Sequence, residues 1–291
     1  MKSDPKWKRT MALWKLRASL VLLDLAPRTA KPRISFCTTC MGRLHHLKET
    51  LPRNIEDNGD CPDLELVVLD YNSPDSTGAW IHETYPDLIR SGRLKYFRTT
   101  EPKYFHMAHS KNVAHRLATG DIVCNVDADN FTGPGFASKL AEMFLRGPRR
   151  LVVTGDWRVV KGSNGRVAMW RKHFLAFRGY DESMHGYGFE DRDLISRCEL
   201  LGFTVQKLEK ESLNLIQHSN QERQLLYAPE HQKLNKGLEQ HKEQSHSNIA
   251  LGLVVPNPKL WGHATLSPTP SAWPAPAVPV VSTLHATQKR S

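Results

Sequence analysis

From Arg33 to Val126 the chain alternates short β-branched runs with segments of helical periodicity, and this alternation limits the fold more than any other feature. Ile34 to Cys37 is a short apolar run, Leu64 to Leu69 (LELVVL) is β-branched, and Leu94 to Arg98 and Ile122 to Val126 follow. Between them, Arg43 to Ile55 puts Leu44, Leu47, Leu51 and Ile55 on one helical face, and His109 to Ala118 reads as another helix. Strands joined by helices of this length predict an α/β fold: a mostly parallel, Rossmann-like sheet flanked by helices, with right-handed crossovers. In such sheets ligands sit outside the carboxyl ends of the strands. The residues just after each strand are therefore the candidates for function.

Composition narrows the class. At 291 residues, 40% hydrophobic and 24% charged, the chain is an ordinary globular one of one or two domains. Five cysteines are too few, and odd in number, for a disulfide scaffold, which predicts free thiols in a reducing compartment. The pair Cys37 and Cys40 lacks the second pair that a zinc site would need, so buried thiols are expected there rather than a redox motif. No apolar run reaches the ~18 residues of a spanning helix, and Met1 to Thr10 is too charged for a signal peptide. A cytoplasmic protein is expected. The net charge of +10 would suit nucleic acid, but nine bases against two acids in the first 33 residues account for seven of those charges. No basic groove runs through the body, and no nucleic-acid partner is expected.

The ends differ from the middle. Residues 1–32 form a basic arm in which Trp7, Met11, Trp14, Ala18, Val21 and Leu25 recur as one helical stripe. Such a stripe either lies on an anionic membrane surface, giving peripheral contact through residues 1–25, or docks on the domain or a partner helix. Residues 33–220 are expected to form the single folded domain and 221–255 a polar, partly helical extension. Seven prolines in residues 256–291 predict a disordered tail.

Four segments carry the candidate chemistry. Asp127 and Asp129 follow the fourth strand; at i and i+2 in extended backbone they would offer hard oxygens to Mg²⁺ or Mn²⁺ on one side. Gly186-Tyr187-Gly188-Phe189-Glu190-Asp191 gives a glycine turn that opens a helix with an acidic pair. One acid would serve as a cap, so the surplus makes a general base facing an acceptor hydroxyl a candidate. His218 ends an extended segment. Arg43 and Lys111 are candidates to hold a diphosphate, and Asp70 to accept from a base or ribose, the alternative for each being solvated surface charge.

Taken in order, these segments resemble the GT-A glycosyltransferases, family 2-like in the first half. Thr38 to Leu47 looks like the first nucleotide loop, Val67-Val68-Leu69-Asp70 like the strand-end acid that recognises the nucleoside, and His109-Ser110-Lys111-Asn112 like the motif before the metal strand. Asn125-Val126-Asp127-Ala128-Asp129 resembles the DxD metal motif. Gly165 to Phe174 and Phe177 to Glu182 resemble the acceptor side of β-1,4-galactosyltransferase-type enzymes. Gly186 to Asp191 resembles their WGWGGED segment, and Ile216 to Ser219 the segment of their histidine ligand. The resemblance covers about residues 33 to 225.

It implies a metal-dependent, inverting transfer from a nucleotide-sugar, a UDP-sugar foremost, to an acceptor hydroxyl of a glycan or glycolipid. By resemblance Asp129 and His218 would ligate Mn²⁺ (or Mg²⁺), with Asp127 on metal or ribose. Asp191 would be the base, Glu190 its acceptor- or sugar-binding neighbour, and the segment after His218 a lid. Tyr187, Gly188 and Phe189 would line the acceptor and sugar pocket; Tyr187 replaces a Trp and Phe189 a Gly of the galactosyltransferases. A nucleotidyltransferase on a similar sheet, or a binding protein without catalysis, are the alternatives.

Overall fold

The computed structural model describes residues 6–257 and 259–267. The first half alternates as its pattern predicts: α1 (Lys6–Leu25), β1 (Ile34–Cys40), α2 (Leu44–Asp57), β2 (Leu64–Tyr71), α3 (Thr77–Thr84), α4 (Pro86–Arg90), β3 (Leu94–Thr99), α5 (Met107–Leu117) and β4 (Ile122–Asn125). Then come α6 (Phe136–Arg146), β5 (Leu151–Thr154), β6 (Val167–Trp170), α7 (Arg171–Phe177), α8 (Glu190–Leu200), β7 (Thr204–Lys207), α9 (Asn220–Gln224) and α10 (Leu234–Ala250).

One seven-stranded sheet runs in the order β3-β2-β1-β4-β6-β5-β7. All pairings are parallel except those of β6, which runs antiparallel to both β4 and β5. Alternate residues of each central strand enter opposite cores, as a sheet covered on both faces requires. In β2, Val67, Leu69 and Tyr71 face α5, α7 and α8, while Leu64, Leu66 and Val68 face α2, α3 and α6. Sequence order reverses between β1's neighbours, β2 and β4, so the crevice at a topological switch point opens at the carboxyl ends of β1 and β4.

Both ends depart from expectation. Helix α1 docks on α7, but through Leu13, Leu16, Leu20 and Leu23, not the stripe of Trp7, Met11, Trp14, Ala18, Val21 and Leu25, which is exposed. The helix carries two apolar stripes, and the leucine one, spaced three-four-three, fits the domain. The Arg150 guanidinium donates to Asp24 at 2.7 Å, Lys172 to the Leu23 carbonyl at 2.6 Å, and Arg28 to the carbonyls of Leu145 and Gly147.

At the other end, ordered structure continues beyond Pro256. Asn257 and Trp261 are buried, Asn257 donating to the carbonyls of Tyr180 and Arg178 at 2.6 and 2.7 Å. Leu266 bridges Thr99 at the edge of the sheet. A few anchoring side chains outweigh the composition of this stretch. The rest of the expected tail, from residue 268, lies outside the described residues.

Candidate active site

The acidic pair after β4 lies in a turn rather than in extended backbone. Strand pairing stops at Asn125, the Asn130 amide donates to the Asp127 carbonyl at 2.9 Å, and Asn125 Nδ2 donates to Asp127 Oδ1 at 2.8 Å. Both carboxylates still border one cavity of about 590 Å³ at the carboxyl ends of the strands. A short backbone bridge between Asn130 and Leu215 carries the chain past Asp129. It sets His218 Nε2 2.7 Å from Asp129 Oδ2.

Burial raises the Asp127 carboxyl and Asp129 adds to the rise, against the pull of Lys111. Burial works against the charge on Asp129 too, but the His218 hydrogen bond outweighs it and holds that carboxyl low. The imidazole Nδ1 of His218 is buried and has no hydrogen-bond partner among the described residues. Two carboxylates and an imidazole are ligand types that suit Mn²⁺ or Mg²⁺, although among the described residues these three are not drawn together into one ligand cluster.

On the facing wall, the Gly186–Phe189 turn is left-handed at three positions: Gly186 at φ 100°, Gly188 at 84° and Phe189 at 74°. Glycine adopts this region freely and phenylalanine does not. The turn delivers Glu190 and Asp191 to the first turn of α8. There the two carboxylates share the buried ammonium of Lys111, whose Nζ lies 2.8 Å from Glu190 Oε1 and 2.8 Å from Asp191 Oδ1. Glu190 is almost fully enclosed, while Asp191 retains 13% of its side-chain surface and borders the cavity. Burial, with Glu190 and Asp127 nearby, pushes the Asp191 carboxyl well up; for Glu190 the Lys111 charge overcomes burial and holds it down. Asp193, third of the acids, is structural: it pairs with Arg197 at 2.7 Å and accepts from Ser245.

Gly165 shows how closely the walls meet. A Cβ there would lie 2.3 Å from Asp127 Oδ2 and 3.5 Å from Asp191 Oδ2. The acid of the β4 turn and the acid of α8 thus converge on one spot that only glycine leaves open.

Two expected contacts point elsewhere. Asp70 does not border the cavity; its oxygens are spent on the Ser73 amide (2.6 Å), Tyr96 Oη (2.6 Å) and Arg98 Nη1 (3.0 Å). Lys111, expected at a diphosphate, is turned into the carboxylate pair instead, because two buried acids need a counter-ion. Arg43 does border the cavity. Its guanidinium binds the Glu222 carboxylate and, at 2.8 Å, the Glu222 carbonyl. His45 and His46 converge on the same carboxylate, at 3.0 and 3.6 Å, and this is the group among the described residues whose ligand atoms lie close enough together to hold a cation. Arg223, Tyr227 and Leu238, from the segment after His218, border the cavity with Tyr187, Gly188 and Phe189. His46, Glu222 and Tyr227 are not singled out as site residues by the sequence: the first enters only as part of the Thr38 to Leu47 stretch and lies in the first turn of α2, the others lie in a polar stretch without a pattern. All five cysteines are free and buried, and burial pushes the Cys40 thiol up to about 12.

The model of the family "Glycosyl transferase family 2" matches residues 35–205. No curated protein matches the sequence. Among solved structures, a mannosyltransferase, PcManGT from Pyrobaculum calidifontis in complex with GDP-Man and Mn²⁺, aligns with a TM-score of 0.53 at 20% identity, over 86% of this chain and 81% of that one. S. aureus TarS 1-349 aligns at 0.46 and 18% identity over 60% and 58%, and its complex with UDP at 0.47 and 17% over 60% and 57%. The first of these shows that the fold is of the GT-A type; the family match sets aside the nucleotidyltransferase and non-catalytic alternatives. Because that match spans more than half of the sequence and covers the strands that build the cavity, the chain belongs to glycosyl transferase family 2 and is a glycosyltransferase.

Proposed function

We propose that the protein moves a sugar from a nucleotide-sugar to an acceptor hydroxyl with inversion, using Asp191 as the base and a divalent cation at Asp127, Asp129 and His218. The observation that supports this reading is the convergence of Asp127 and Asp191 on Gly165, which brings the acid proposed for the cation beside a raised, cavity-facing acid. A base works best with its pKa near ambient pH, and burial moves Asp191 in that direction. Lys111 holds that carboxylate in place and Glu190 shares the charge.

In the reaction the acceptor O–H proton passes to an Asp191 oxygen while the acceptor oxygen bonds to the anomeric carbon. The bond from that carbon to the donor diphosphate breaks, and the nucleoside diphosphate leaves with the electron pair. When bound, Mn²⁺ or Mg²⁺ supplies positive charge to neutralise that leaving group. Arg43 adds a guanidinium once Glu222 yields it, and residues 219–238 act as a lid that excludes water. PcManGT was solved with GDP-Man and Mn²⁺, which supports a nucleotide-sugar and a metal here; UDP-sugars are the first donors to test. The acceptor is a glycan or glycolipid hydroxyl, and the buried free thiols suit a cytoplasmic setting.

The test is a panel of UDP- and GDP-sugars, with and without Mn²⁺, read by nucleoside diphosphate release and by thermal shift. Metal-dependent release from one donor class is expected. Release that is indifferent to EDTA would remove the metal role, and an α-linked product from an α-linked donor would remove inversion.

A further inference from the structure

Helix α1 has two apolar faces, and the domain uses only one. Opposite the docked leucines, Met11, Trp14, Val21, Leu22 and Leu25 are 47%, 65%, 52%, 68% and 75% exposed. At about 100° per residue these five, with Ala18 among them, fill about 100° of arc on the free side of the helix. Single exposed apolar residues are normal, but a continuous stripe of this kind marks an interaction surface.

Charge says what the surface fits. Lys15 and Arg17 are exposed along the two borders of the stripe, and the Arg17 guanidinium lies 6.0 Å from the Trp14 ring. The single acid of α1, Asp24, faces the domain, where Arg150 binds it at 2.7 Å and His173 lies 3.3 Å away. The free face therefore presents apolar side chains between cations and no anion of its own helix. A second copy of this face, laid against it, would set Lys15 and Arg17 against their own kind. Phosphate headgroups above an acyl layer match both the stripe and its borders. Among the described residues no helix is long and apolar enough to cross a membrane, so this one would lie along the surface.

We infer that the free face of α1 binds side-on to an anionic lipid surface, with Trp14, Val21 and Leu25 entering the headgroup boundary and Lys15 and Arg17 pairing with lipid phosphates. The inference is independent of the reaction assigned above. It is tested with the full chain by co-sedimentation with phosphatidylcholine vesicles, with and without phosphatidylglycerol. Wild type is expected to sediment with the anionic vesicles and to be released by salt. A triple variant Trp14→Ser, Val21→Ser, Leu25→Ser and a double variant Lys15→Glu, Arg17→Glu are each expected to lose on the order of tenfold in bound fraction. Because these side chains are exposed, the thermal transitions of both variants should match wild type. Protein that stays in the supernatant, or variants that bind like wild type, would overturn the inference. So would a dimer in light scattering that the serine variant splits, since the occupant would then be a second copy.

Discussion

The ammonium of Lys111 lies 2.8 Å from Asp191, buried at the floor of the cavity and shared with Glu190. One cation between two acids cannot neutralise both: the Lys111 charge holds Glu190 down, and the proton affinity left over resides on Asp191, where burial with Glu190 and Asp127 nearby wins.

Asp191→Asn is therefore expected to lower kcat by about a hundredfold to ten-thousandfold while metal-dependent donor binding persists. The acid limb of the kcat–pH profile should lie above the ordinary carboxylate range. A base works deprotonated, and a raised carboxyl becomes deprotonated only at higher pH. Lys111 opposes that rise, so Lys111→Met should move the limb further up, as steady-state rates across pH will show. A limb in the ordinary carboxylate range would remove Asp191 as the base.

Asp129 and His218 are joined at 2.7 Å, and the site assigned to them predicts one shared consequence. Asp129→Ala and His218→Ala should each weaken Mn²⁺-supported nucleotide binding by about tenfold to a hundredfold, measured by calorimetry. With EDTA present, wild type and both variants should bind alike. Unchanged affinity in Mn²⁺ would show that the cation sits elsewhere, with the His45, His46 and Glu222 group as the nearest alternative.

Glu222 occupies the guanidinium of Arg43, so a donor diphosphate must displace it before using that charge. Glu222→Gln is expected to tighten nucleoside diphosphate binding by about two- to fivefold, the scale of a partly exposed ion pair. The gain should vanish when Arg43→Ala is added, which a double-mutant cycle of dissociation constants reads directly.

Phe189 holds a left-handed backbone at φ 74°. Comparing Phe189→Gly with Phe189→Ala removes the ring in both and differs only in the Cβ. The glycine variant should be the more stable by about 1 kcal/mol, seen as the higher Tm in thermal melts. Equal transitions would mean that the turn relaxes when the ring is lost.

What the sequence disclosed follows from where each signal is written. The strands of the first half showed themselves because both faces are covered, leaving LELVVL-type runs, and Asp127, Asp129, Glu190 and Asp191 stood out because they directly follow strand or turn signals. The aims of Asp70 and Lys111 were not legible: each is settled by a partner far along the chain, Arg98 for one and the α8 acids for the other. In α1 both stripes have helical spacing, and only the shape of α7 selects the leucine one. Glu222 and Tyr227 had no periodicity to announce them.

The segment around Asn257 and Trp261 reaches further than its distance from the cavity suggests. Asn257 donates to the Tyr180 carbonyl, and the Gly262 amide donates to the Glu182 carboxylate at 2.7 Å. Asn112, next in sequence to Lys111, donates to those same two acceptors. Gly262 also packs against the backbone of α5 so closely that a Cβ would come within 3.1 Å of Asn112. The chain's late residues thus clamp the helix that carries the counter-ion of Asp191, so trimming at the first prolines, as composition invites, would cut away part of the support beneath the cluster of Lys111, Glu190 and Asp191.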